Sequence, residues 1–132
     1  MARMSDVDRM VQGERVRREV LGASYADPAK TPTAFQAAAR EFTISQCWGG
    51  VWLRPGLERK TRSMLNLAML SAMARWHEFE VHVKGALNNG VTPDEIIEIC
   101  LQAGVYAGVP IAMQALSIAD KAVQAWAPEP AP

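Results

Sequence analysis

Residues 58–95, ERKTRSMLNLAMLSAMARWHEFEVHVKGALNNGVTPDE, decide the fold. From Glu58 to Arg75 the apolar residues recur with the period of a helix, and between Met64 and Ala74 only Asn66 and Ser71 interrupt them. A helix with no wet face is enclosed by its own domain or by neighbouring subunits. The next helix runs from about His77 to Asn89 and stops at Asn88-Asn89-Gly90. Thr92-Pro93-Asp94-Glu95 then opens another, with Thr as N-cap, Pro in the first position and Glu three residues after the cap.

Working outward, the same period holds almost everywhere, and no run alternates strictly with β-branched residues, which makes the chain all-α. A first helix is predicted from Asp6, as N-cap, to Leu21, with Gly22 as its stop. Residues 23–32, ASYADPAKTP, read as a loop. Thr33 caps a helix ending near Trp48, and residues 47–57, CWGGVWLRPGL, form a compact turn anchored by two tryptophans. Beyond Tyr106 the stretch Ala107-Gly108-Val109 forms a tight corner, and Pro110 starts a last helix that reaches Trp126. This gives about six helices in a single domain over residues 1–132, with flexible tails at 1–5 and 127–132.

The chain has 132 residues, with 14 basic and 14 acidic side chains mixed along it and no net charge, so no broad field attracts nucleic acid or an anionic membrane. The run Arg15-Val16-Arg17-Arg18-Glu19 reads as a solvated face. Cys47 and Cys100 stand far apart in no metal-binding or redox spacing, which suits a reducing cytoplasm. The first 18 residues are too charged for a signal peptide, and no apolar stretch is long enough to span a bilayer. A soluble cytoplasmic protein follows as the expectation, with a small molecule and further copies of itself as partners. The Met-rich helix surface (Met64, Met69, Met73) favours a homo-oligomer.

One segment concentrates chemistry. Arg75, Glu78 and His82 fall at helical spacing within a strip about 60° wide, bordered by Phe79, Val83 and Ala86. A cation, a carboxylate and an imidazole at the edge of an apolar face are costly to bury unless they serve each other or a ligand. His77 projects to the opposite side from His82, so the two cannot share a metal on one helix, and no metal site is expected.

Trp48-Gly49, Trp52, Arg54-Pro55-Gly56-Leu57, Thr61-Arg62-Ser63, Glu78, His82, Asn89-Gly90-Val91-Thr92, Glu95-Ile96, Tyr106 and Gly108-Val109-Pro110 occur in that order and spacing. Together with Val16-Arg17-Arg18 and Val20-Leu21-Gly22 they resemble the carboxymuconolactone decarboxylase family, over roughly residues 8–124. The resemblance implies an alkyl hydroperoxidase D-like helical bundle assembled as homotrimers or homohexamers. It also implies a cofactor-free carboxy-lyase of protocatechuate catabolism, the β-ketoadipate pathway, converting 4-carboxymuconolactone to the 3-oxoadipate enol lactone and carbon dioxide. A related enzyme on another small lactone or keto acid, and a non-catalytic ligand-binding oligomer, are the alternatives. In a sister branch a redox CxxC precedes the histidine that aligns with His82; Arg75 and Glu78 occupy those positions here, so thiol peroxidase chemistry is not expected.

For that reaction the resemblance directs attention to His82 as the group that stabilises the oxyanion or delivers the proton, and to Glu78 as the carboxylate that orients it or carries the proton itself. Arg54, Arg62 and Arg75 are candidates for binding substrate carboxylates. Trp48 and Trp52 either pack the corner between helices or wall an apolar pocket, and Tyr106 is a candidate hydrogen-bond donor to the lactone.

Overall fold

The computed structural model describes residues 3–128, and among these every regular element is helical. The α-helices are α1 (Asp6–Leu21), α2 (Ala23–Ala26), α3 (Ala34–Phe42), α4 (Arg59–Ala72), α5 (Trp76–Asn88), α6 (Pro93–Ala107) and α7 (Val109–Ala125). A π-helical stretch, Thr43–Trp48, prolongs α3, and one 3-10 turn covers Val51–Leu53. The six expected helices are all present, and α2 is an addition. The chain divides into two compact units, one ending at Leu57 and one beginning at Glu58.

In the N-terminal unit the cap of α1 is Ser5 rather than Asp6. Ser5 is extended, and its hydroxyl accepts from the Asp8 N–H at 3.1 Å, while Asp6 and Asp8 lie in the first turn, where the helix dipole favours them. Gly22, at φ 86°, ends the helix. Where a loop was expected, α2 forms a single turn. Its end is held by two arginines, since Arg17 and Arg40 both donate to the Ala26 carbonyl, at 2.7 and 2.8 Å. Arg15 and Arg18 are exposed, in keeping with the solvated face read from the sequence, and pair with Glu19 and Asp27. A capping box between Thr33 and Gln36 starts α3.

The core of this unit is Val16, Val20, Ile44, Trp48 and Trp52. The two indole rings stack at 4.8 Å with 30° between their planes. The end of the π-helical stretch comes close to α1: a Cβ on Gly13 would stand 2.6 Å from the Gly49 nitrogen, so only glycine fits.

In the C-terminal unit α4 packs on α5 and α6, and α7 packs on α5 and α6. Leu67, Phe79, Val83, Ala86, Ile96, Cys100 and Ala115 supply the centre of its core. Two hydroxyls inside it are satisfied. Ser71 donates to the Leu67 carbonyl at 2.7 Å, and Ser63 accepts from the Asn89 amide at 2.9 Å. The Thr92–Glu95 capping box opens α6, and Gly108, at φ 117°, turns the corner into α7.

One feature of α4 differs from the sequence reading, and a second narrows it. The helix ends at Ala72, because Ala74 adopts a left-handed φ of 55° and turns the chain before Arg75. Nor does its own chain enclose it: Leu65, Met69 and Met73 remain 47, 51 and 60 % exposed. Of the tails, residues 1–2 and 129–132 lie outside the described residues, and Ser5 is tied to α1.

Candidate functional site

α5 carries the site because its apolar residues set its rotation. Phe79, Val83 and Ala86 are fully buried, as their spacing required, and Trp76 meets Phe79 edge-on at 5.7 Å. That rotation leaves His82 at the border of the core, mostly covered. Glu78, one turn earlier, and Arg75 are exposed. Arg75 occupies the cap position of α5, with φ −89° and ψ 74°, so it stands at the mouth of the helix rather than in its register.

One polar contact of the His82 ring crosses to α4, where the Asn66 amide nitrogen lies 3.4 Å from Nδ1. Burial lowers the pKa of His82 to about 4, against the nearby charge of Glu78, which pulls it upward. Desolvation wins, and the imidazole is neutral at pH 7. Arg62, half-buried, precedes Asn66 by one turn and shares its face of α4. The structure thus brings His82 of α5 against Asn66 of α4, with Arg62 one turn before Asn66 on the same helix. Asn66 was legible in sequence only as an interruption of an apolar helix.

The other candidates stand on other elements. Trp48 and Trp52 belong to the N-terminal unit and are 3 and 6 % exposed, taken up in its core, which is the packing role their position in a turn also allowed. Arg54, in the same unit, is exposed directly after the 3-10 turn. Tyr106, near the end of α6, is 85 % exposed.

Two clefts are formed by other residues. One, of about 760 Å³, lies between α4 and α6 and is lined by Met64, Leu65, Ile97 and Ile99 with the carboxylates Asp94, Glu95 and Glu98. The Thr92 backbone N–H and then Lys60, at 3.1 Å, hold Glu95 below its usual range. The other, of about 390 Å³ in the N-terminal unit, contains Arg17 and Arg40 beside Glu14, Asp27 and Glu41, and both guanidiniums are engaged by the Ala26 carbonyl. The thiols are poor nucleophiles. Burial raises Cys47, and it pushes Cys100 up to about 11.

A neutral imidazole held against an amide in partly desolvated surroundings can stabilise an oxyanion. Comparison with known proteins bears on the family. Residues 37–121 match the model of the carboxymuconolactone decarboxylase family. A nitrosuccinic acid decarboxylase of Metarhizium robertsii is 41 % identical over 113 residues, 85 % of this chain and 79 % of the relative. A 4-carboxymuconolactone decarboxylase of Acinetobacter baylyi is 39 % identical over 119 residues, 89 % of each chain.

Proposed function

The chain belongs to the carboxymuconolactone decarboxylase family and is a carboxy-lyase, and on that premise we propose that it decarboxylates a small dicarboxylic acid, 4-carboxymuconolactone before others. The observation that carries the reading is near full-length similarity to two decarboxylases whose substrates differ. Both acids carry a carboxylate near a group that can take up an electron pair, an unsaturated lactone in one and a nitro group in the other. Because the substrate is its own electron sink, neither a metal nor an organic cofactor is required.

In the lactone, the bond to the departing carboxylate breaks and carbon dioxide leaves. Its electron pair passes through the ring double bond to the carbonyl oxygen, giving a dienolate that is protonated on carbon. His82 is the proposed partner of that oxygen, a contribution of typically about 3–4 kcal/mol to the transition state. Arg62 and Arg75 are proposed to hold the retained carboxylate, and Glu78 to set the charge at the site's edge. Trp48 and Trp52 serve the fold in this proposal, and Arg54 and Tyr106 have no assigned step. The product is the 3-oxoadipate enol lactone, which places the enzyme in aromatic catabolism. Free thiols at Cys47 and Cys100 suit the cytoplasm.

The similarity to a nitrosuccinic acid decarboxylase favours a second substrate reading, a nitro acid in place of the lactone. The deciding experiment supplies each acid to purified, chelator-treated protein and follows carbon dioxide. Release from the lactone is expected, release from the nitro acid alone selects the second reading, and release from neither refutes both. His82→Ala should lower turnover at least about a hundredfold with the helical fold retained by circular dichroism; full activity in that variant would remove His82 from the reaction.

A further inference from the structure

Asn66 is the only carboxamide on α4, and its Nδ2 faces Nδ1 of His82 at 3.4 Å across the α4–α5 packing. An amide nitrogen donates and does not accept, so the ring nitrogen opposite it must present a lone pair. A neutral imidazole with a lone pair on Nδ1 carries its proton on Nε2. We propose that Asn66 is a positioning residue that fixes His82 as the neutral Nε2–H tautomer, so that His82 acts as a hydrogen-bond donor to the developing oxyanion and not as an imidazolium acid. This rests on the role given to His82 above and decides between the two duties an imidazole there could perform.

Burial of the ring supports the assignment. An imidazolium at this position would have to retain its charge where desolvation lowers its pKa to about 4, despite Glu78 one turn away. A neutral Nε2–H pays no such cost and still aims a dipole at the oxygen. The Nε2 proton remains on nitrogen throughout. As the carbon–carbon bond breaks, the electron pair moves to the acceptor oxygen and carbon dioxide departs. Water then protonates the carbon, and the hydroxide left behind combines with carbon dioxide as bicarbonate.

The test uses nitrogen-15 NMR of the histidine rings at pH 7. The chain has two histidines, and His77→Gln leaves the ring of interest alone. The proposal expects an unprotonated Nδ1 and a protonated Nε2 in otherwise unaltered protein. A proton on Nδ1, or on both nitrogens, overturns it whether or not any further variant folds. Asn66→Asp places an acceptor opposite Nδ1 and should draw the proton there, with kcat reduced about a hundredfold, as when an oxyanion donor is lost, and little change in KM. A switched tautomer with undiminished kcat also overturns the proposal. Loss of turnover in His82→Ala alongside a proton on Nδ1 would leave the role of His82 standing and sink only the tautomer; retained turnover in His82→Ala would sink the role itself.

Discussion

At His82, burial lowers the pKa from 6.5 to about 4 while the Glu78 carboxylate pulls the other way. The folded protein therefore takes up a proton less readily than the unfolded chain. Above pH 6.5 the ring is neutral in both states and pH has no effect through it. As the pH falls from 6.5 to about 4 the unfolded chain gains the proton first, and stability drops, on the order of 3 kcal/mol in all once both states are protonated. Urea unfolding from pH 7 to pH 4 should show that loss, and His82→Gln should show a loss smaller by about that amount; equal losses would mean the ring is not desolvated. The spacing of Glu78, Phe79, His82 and Val83 placed this ring at the border of a buried face before any coordinates. It did not disclose Asn66, because the contact spans sixteen residues and exists only through the packing of α5 on α4. Trp48 and Trp52 show the same boundary of inference, since an aromatic in a turn has one pattern whether it walls a pocket or fills a core.

Helix ends were the most legible elements, because a cap is written in four adjacent residues. Thr92 to Glu95 formed the capping box their types required, and Gly22 stopped α1 where its position indicated. Less legible were breaks without a marker residue. Ala74 takes a left-handed φ that no local preference favours, and α4 therefore ended earlier than its apolar period suggested. The π-helical stretch likewise follows from tertiary fit, with the Gly49 N–H reaching the Ile44 carbonyl at 2.6 Å while Gly13 admits the turn against α1. Gly13→Ala tests that fit. Its methyl would have backbone atoms of Gly49 at 2.6 and 2.8 Å, and backbone cannot swing aside as a side chain can. Despite the higher helix propensity of alanine, a loss of about 1–3 kcal/mol is expected in denaturant unfolding. A gain in stability would show that α1 and this turn are not in close contact.

For the molecule as a whole, the absence of a wet face on α4 left two occupants open, its own domain or another subunit. Its own chain leaves Leu65, Met69 and Met73 about half exposed, and their spacing of four residues places them on one stripe. Burying a side chain of this size is worth about 1.5–3 kcal/mol, so three of them repeated in every subunit are a substantial driving force for association. We therefore propose that the stripe is covered by further copies of the chain in a homo-oligomer. Met69→Glu with Met73→Glu puts two carboxylates per subunit into that contact, each costing several kcal/mol to desolvate without a partner. Neither residue belongs to the buried core, so helicity should be unaffected. Light scattering on the eluting protein should give a multiple of the subunit mass for the unaltered chain and the single mass for the double variant. An unchanged multiple would show that the contact lies on another surface, and a single mass for the unaltered chain would show that the stripe is open to water in solution.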